Sequence, residues 1–276
     1  MTNAYDWQGG VGRNWAAEWQ RTDTSFAELT PSLLAAIAQV PGERIVDIGC
    51  GAGELALAVA HARPQAQVHG VDISPDLVAT AQERGRGVAN LAFSLADASE
   101  WTSPDGAPDL YVSRHGVMFF SDPPAAFAHL AAGAAPGARI VFSCFRAASL
   151  NGWASSIASL LPPAEPPLQA AFTPGPFAFA DPDHVRRCMA GWHDHDFTPV
   201  DFAYIAGTGE DPVGEAMALF HRIGPAAFAL RTLPDAERTA FERRLRDLVE
   251  AHHSGGRVAF PAAAWLVSAV SDYRNG

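Results

Sequence analysis

RIVDIGCGAGELAL, residues 44 to 57, decides how this chain is read. Arg44 to Ile48 holds three β-branched side chains and lies between Pro41-Gly42 and a glycine run, the pattern of a short buried strand. Glycine then recurs at every second position, at Gly49, Gly51 and Gly53. Glu54 to Arg63 is rich in Ala and Leu, has no breaker and stops at Pro64, which predicts a helix. Strand, glycine turn and helix in this order bare backbone N–H groups at a helix start and let a ligand approach closely. Asp47 adds a carboxylate at the strand end.

Outward from this stretch the chain alternates. AQVHGVDI (66–73), LAFSLAD (91–97), DLYVSRHG (109–116) and ARIVFSCF (138–145) read as four further strands. Between them SPDLVATAQER (74–84) reads as a helix with Ser74 as N-cap and Pro75 at its first position, and PPAAFAHLAAGA (123–134) as another. Residues 24–40 read as a helix with Pro31 near its first turn. Such alternation marks a parallel sheet covered on both faces. The pattern changes after residue 146. Residues 161–182 are dense in proline, FTPVDFAYIA (197–206) resembles a sixth strand, 211–253 is mostly helical, and GRVAFPAAAWLVSAV (256–270) reads as a seventh strand at the sheet edge. The expectation is a doubly wound α/β fold with a seven-stranded, mostly parallel sheet and an inserted helical cap. Four segments follow: an N-terminal helical segment over 1–40, a core over 41–146, a cap and substrate region with strand six over 147–235, and a helix with an edge strand over 236–276.

The balance of 19 Lys and Arg against 30 Asp and Glu gives a net charge of -11. That argues against nucleic acid and anionic membrane as partners, because both reward clustered cations. Cys50, Cys144 and Cys188 are far apart and odd in number, so they suggest neither a disulfide framework nor a metal site, and a cytoplasmic setting follows. The first ten residues lack the charged and apolar regions of a signal peptide. The apolar runs are shorter than the ~20 residues that span a bilayer.

The spacing of the glycines narrows the ligand. Two classes use such a corner, dinucleotides and S-adenosylmethionine. A dinucleotide fingerprint G-x-G-x-x-G/A started at Gly49 places Glu54 at its third small position, where a carboxylate would face a pyrophosphate. Started at Gly51, it places Ala56 there and fits. Asp47, in D-x-G-x-G-x-G, tips the balance, because a carboxylate suits a ligand carrying an ammonium and a sulfonium.

Residues 40–146 resemble a class I S-adenosylmethionine-dependent methyltransferase with a Rossmann-like sheet, in particular the bacterial small-molecule type of ubiquinone and menaquinone biosynthesis. VDIGCGAGELAL, VHGVDIS and LADASEW are similar to that family's first three motifs. The leading DWQGGVGRNWAAEW and the closing PAAAWLVSA also look like its extended members. The resemblance implies roles. Gly49, Gly51 and Gly53 line the methionine part with Asp47, and Ser113 ends strand four where the family's backbone meets the methionine amine. Asp72 accepts from the ribose hydroxyls. Asp97 accepts from the adenine amino group, the Ala98 N–H reaches a ring nitrogen, and Ile73 packs on the ring. Trp101 either stacks there or packs internally. Trp15 lies on a helix closing over the cofactor.

His115, after strand four, is the candidate catalytic base, with a pocket-lining histidine as the other reading. Methyl transfer needs a base only if the acceptor must lose a proton. Arg114 and Arg146 could pair with a substrate carboxylate or form structural ion pairs. His193 and His195, expected in a turn before strand six, read as solvated, so no metal is expected. The proline-rich insertion with 205–235 should roof an apolar chamber for a small, largely apolar acceptor. The expectation is a methyltransferase that is a monomer or homodimer. A nicotinamide-dependent oxidoreductase and a non-catalytic binding subunit stay open.

Overall fold

The computed structural model describes residues 4–161 and 173–272. Strands β1 (Arg44–Ile48), β2 (Gln67–Asp72), β3 (Leu91–Leu95), β4 (Leu110–Arg114) and β5 (Arg139–Phe145) pair in parallel in the order β3-β2-β1-β4-β5. Helices α5 (Glu54–Ala62), α6 (Pro75–Arg84) and α7 (Pro123–Gly133) connect them. The order reverses direction beside β1, and in such sheets ligands lie beyond the strand ends at that point. Burial explains the strands. Leu110 to Ser113 are all buried, as are Ile45 to Ile48, so both faces of the central strands are covered. Helix α6 starts as its sequence requires, with Ser74 Oγ accepting from the Leu77 N–H and Pro75 where no donor is needed.

Residues 24–40 are not one helix. They divide between the end of α3 (Trp19–Ser25) and α4 (Thr30–Ala38), with Phe26 and Leu29 buried in the corner. Helices α1 (Ala4–Gln8) and α2 (Gly10–Ala17) precede them.

The last long strand corrects the expected edge. β8 (Arg257–Ser271) lies between β5 and β6 (Trp192–Gly207), antiparallel to both, and β6 forms the edge; the two-residue β7 (His253–Ser254) pairs only with β8. The chemistry of the two strands accounts for this. The first half of β6 is polar and exposed and contains Pro199, which suits an edge, whereas Ala262 to Ala264, Leu266 and Val267 of β8 are buried. Pro261 lies past the end of β5, where β8 pairs only with β6. Asn151 stitches that departure: its side-chain oxygen accepts from the Ala263 N–H at 3.0 Å and its amide donates to the Ala263 carbonyl at 3.3 Å.

Beyond β5 come α8 (Gly152–Ala158) and α9 (Pro182–Cys188), and between β6 and β7 come α10 (Pro212–Arg222), α11 (Gly224–Thr232) and α12 (Asp235–Ala251). Most of the proline-rich stretch, 162–172, lies outside the described residues. His193 and His195 stand within β6, beside a bulge at Asp194, rather than in a turn before it. Among the described residues no cluster of His, Cys, Asp and Glu could hold a metal, and no helix is long and apolar enough to cross a membrane.

Candidate functional site

The carboxyl ends of β1, β2 and β4 open into a cavity of about 1170 Å3. A drug-sized ligand occupies roughly 300–1,000 Å3 of pocket, so this volume admits a nucleoside and a second small molecule.

The three glycines have three different reasons, although all adopt positive φ. A Cβ on Gly49 would lie 2.9 Å from Gly116 Cα, so this glycine lets the loops after β1 and β4 touch. A Cβ on Gly51 would meet nothing within 4 Å, and Gly51 lines the cavity. A Cβ on Gly53 would strike Phe93 at 2.9 Å and Ala81 at 3.1 Å. Gly53 does not reach the cavity wall; it lets α5 pack against β3 and α6. Ser113 is likewise set back from the cavity. It is fully buried and away from the wall, its hydroxyl donating to the Ile48 carbonyl at 2.6 Å and accepting from the Gly116 N–H at 3.1 Å.

Three carboxylates ring this end. Asp72 Oδ2 accepts from the Gly51 N–H and Oδ1 from the Ser74 N–H, both at 2.8 Å, so Asp72 fixes the glycine loop to the start of α6. Each oxygen keeps a lone pair for a further donor. Asp97 Oδ1 caps its own turn, accepting from the Ser99 N–H and hydroxyl, and leaves Oδ2 uncommitted by those bonds. Asp47 differs from both. It is buried, and neither oxygen has a hydrogen-bond partner of good geometry, although the Ala56 N–H favours its charge. Burial pushes its pKa up to about 8; Arg114 opposes the shift and Asp72 adds to it. A buried carboxylate is costly unless paired. Ile73 and Ala98 line the same end; Trp101 does not, and packs on His69 with ring centroids 4.9 Å apart.

The opposite end is aromatic. Trp153 of α8 lies against Phe145, Phe177 and Tyr204. From the N-terminal side Trp15 packs edge-on to Trp7, which packs on Phe119. The first residues past α10 and the face of α11 with Phe228 complete the wall. The N-terminal helices are fastened to this roof. Glu18, buried, pairs with Arg21 and with Arg222 at 2.7 Å, and Arg21 pairs with Glu215 at 2.6 Å. Gly12 abuts Ser74, where any side chain would collide.

Arg114 is a structural cation. It pairs with Glu54, bonds Thr30 Oγ1 at 2.9 Å and lies over Phe26. Asp23 joins it to Arg84, which also holds the Ala52 carbonyl. Arg146 pairs with Asp201 at 2.8 Å and stacks on Trp265. Neither is available to a substrate as a lone cation.

His115 sits in the wall between the ends, with φ of 62°, its ring 4.1 Å from that of Phe145. Its Nδ1 is hydrogen-bonded to Ser143 Oγ at 3.0 Å. A serine hydroxyl and an imidazole nitrogen can each donate across such a contact. Nε2 is buried and unpartnered. Burial, with Arg114 adding to it, lowers the pKa to about 3. His115 is therefore neutral in the folded protein. The lining residues missed in the sequence are Trp7, Trp153, Arg13 and Arg231. Trp7 and Arg13 lie in the same DWQGGVGRNWAAEW segment as Trp15, whose aromatic density was the available signal.

Residues 45–137 match the family described as a methyltransferase domain. A trans-aconitate 2-methyltransferase of Variovorax paradoxus is 31% identical over 132 residues, 48% of this chain and 47% of that protein. An aklanonic acid methyltransferase of Streptomyces sp. is 33% identical over 130 residues, 45% and 59% respectively. The chain thus spans about half the length of the curated relatives it matches. A phosphoethanolamine N-methyltransferase 2 of Haemonchus contortus, solved with S-adenosyl-L-methionine, is similar in fold, with a TM-score of 0.57 at 16% identity over 99% of this chain and 61% of that one. The segment that matches the methyltransferase-domain family, residues 45–137, is the one that carries the glycine corner and its three carboxylates.

Proposed function

We propose that this protein methylates a small molecule held beneath the aromatic roof, with S-adenosylmethionine in the glycine corner. Asp47 carries the reading. A fully buried carboxylate without a hydrogen-bond partner is stabilised by a cationic ligand and made worse by a phosphate. The group fits the residues present, and when bound it supplies a methyl group on a positively charged sulfur. Asp72 and Asp97 keep acceptor capacity for hydroxyl and amino donors, Ile73 and Ala98 offer apolar surface, and Gly51 leaves room beside them. Trp15 and the helices fastened through Glu18 shield the cavity from water. Such shielding and the alignment of reactants account for much of the catalysis when the electrophile is already activated.

Our reading places the protein in the cytoplasm, where free, buried Cys50, Cys144 and Cys188 stay reduced. It acts as a monomer or homodimer. The net charge of -11 supports a small-molecule partner rather than nucleic acid.

Thermal unfolding with candidate ligands tests the proposal. S-adenosylhomocysteine at ~100 times its dissociation constant should stabilise the protein by about 2.7 kcal/mol. Nicotinamide dinucleotides should not. Stabilisation by NADH in place of S-adenosylhomocysteine would return the chain to the oxidoreductase reading.

A further inference from the structure

The turn that carries Asp97, Ala98 and Ser99 into the cavity wall leaves from β3, an edge strand whose neighbour is β2. The last bond to the sheet before it runs from the Ala96 N–H to the Asp72 carbonyl at 3.0 Å. Beyond that point the turn closes on itself. The Trp101 N–H donates to the Asp97 carbonyl at 2.9 Å, and Asp97 Oδ1 accepts from Ser99. Bonds within a turn fix its shape and leave its placement against the sheet to other contacts.

Trp101 supplies them from behind the wall. It does not line the cavity; its ring packs on that of His69, with centroids 4.9 Å apart and planes tilted by 52°. Its carbonyl accepts from His129 Nε2 of α7 at 2.8 Å. His69 stands in β2 and is itself pinned, with Nε2 2.7 Å from Ser94 Oγ of β3. Its side chain is 13% exposed. Burial lowers its pKa below 6.5, with the exposed Asp105 carboxylate, 3.9 Å from Nδ1, opposing the shift. The ring is therefore neutral at pH 7 and packs as an aromatic disc. Neither histidine reaches the cavity.

We infer that His69 is a positioning residue for the cofactor: through the ring of Trp101 it places the Asp97 turn, and with it the choice of adenine over other purines. The inference rests on the methyltransferase reading above, with Asp97 accepting from the adenine amino group. A hydrogen bond tolerates a displacement of only about half an ångström, whereas apolar packing on the purine ring is less demanding. Loss of the ring beneath Trp101 therefore costs the polar contact first, and the site binds its ligand with less regard to the purine.

Calorimetry on the full chain with S-adenosylhomocysteine and S-inosylhomocysteine tests this. The second ligand carries a ring carbonyl where adenine has its amino group, so it offers the Asp97 carboxylate an acceptor in place of a donor. Wild type should bind S-adenosylhomocysteine about ten-fold tighter or more, the size of one charged hydrogen bond. His69→Ala should narrow that ratio about three-fold or more, and His69→Phe, which keeps a ring beneath Trp101, should hold it within about two-fold of wild type. An unfolded fraction weakens both ligands alike, so a loss of stability does not move the ratio. Trp101→Leu leaves His69 in place and should narrow the ratio as His69→Ala does; it decides alone if the alanine variant does not fold. A wild-type ratio below about ten, a ratio unmoved in Trp101→Leu or in folded His69→Ala, or a phenylalanine variant that behaves like the alanine one overturns the positioning role. Failure of wild type to bind either ligand overturns the methyltransferase reading, and this inference with it.

Discussion

The two ends of the cavity are built by different means. At the glycine end the ligand surface is backbone and carboxylate, supplied by one segment of chain, Asp47 to Leu55, with Asp72 and Asp97 from the next two strand ends. At the roof it is aromatic side chain, gathered from α1, α2, α8, the loop before α9, β6 and α11. A backbone surface demands particular residues at particular spacings and so leaves a motif. A side-chain surface needs only bulk and apolarity at points far apart in sequence. The first constrains the ligand tightly and the second can be re-cut for a new acceptor.

The broadest effect, on folding and ligand binding together, should come from Asp72→Ala. It removes a charged acceptor from the N–H groups of Gly51 and Ser74, and each such bond contributes about 1.5–3 kcal/mol without strict additivity. We expect a loss of about 2–4 kcal/mol in folding stability, by urea denaturation, together with loss of cofactor affinity. Affinity lost at unchanged stability would show that Asp72 serves the ligand alone and does not hold the loop.

Asp47→Asn should split those two quantities. The apo protein should become more stable while S-adenosylmethionine binds about 10- to 100-fold more weakly, the size of one charged interaction. The pH dependence gives the sign. The unfolded carboxyl titrates near 3.8 and the folded one at about 8, so the folded state holds the proton more tightly. Its contribution is full below pH 4 and is lost as pH rises to about 8. His115 acts oppositely: lowered from 6.5 to about 3, it contributes stability above pH 6.5 that is lost on acidification towards 3. Unfolding free energies from pH 4 to 9 should therefore show wild type falling more steeply than Asp47→Asn between 4 and 8. Cofactor affinity of wild type should rise over the same interval. Parallel profiles for the two proteins would remove Asp47 as the buried acid.

Gly51→Ala against Gly53→Ala separates motif from packing. Both pay a left-handed backbone cost of roughly 1–2 kcal/mol. Gly53→Ala should add a further ~1–3 kcal/mol of overpacking against Phe93 and Ala81. Gly51→Ala should instead weaken the cofactor, read by calorimetry. Equal stabilities with equal affinities would erase the distinction.

The smallest effect belongs to the roof. Phe228 is 58% exposed although it lines the cavity. Phe228→Ala should change stability by less than ~0.5 kcal/mol and raise the KM for an acceptor several-fold. A large stability loss would mean that α11 is held by this side chain.

The parallel half of the fold was legible because strand runs, caps and glycines are local signals; Ser74 caps its helix as its sequence says. The place of β8 was not. Strand order is decided by which faces are apolar on two sides, and Ala262 to Ala264 reads as equally suited to an edge. The same boundary runs through the site. Asp47, Gly49, Gly51, Asp72, Ile73, Asp97 and Ala98 line the cavity, as does Trp15. Gly53 and Ser113 share the motif pattern but face inward to packing, which spacing alone does not distinguish. Arg13 and Arg231 were illegible because they come to line one cavity only after the chain has folded.

The interior position of β8 sets a condition on synthesis. Asn151 waits for Ala263, 112 residues later, and β5 waits as long for its second neighbour. At about 5–20 residues per second a ribosome takes on the order of 10 s to supply that strand. Throughout this delay the β5 edge, with Phe142 and Cys144, has a partner strand on one side and none on the other. The ends of β1, β2 and β4 that open into the cavity are thus synthesised well before the strand that completes the sheet.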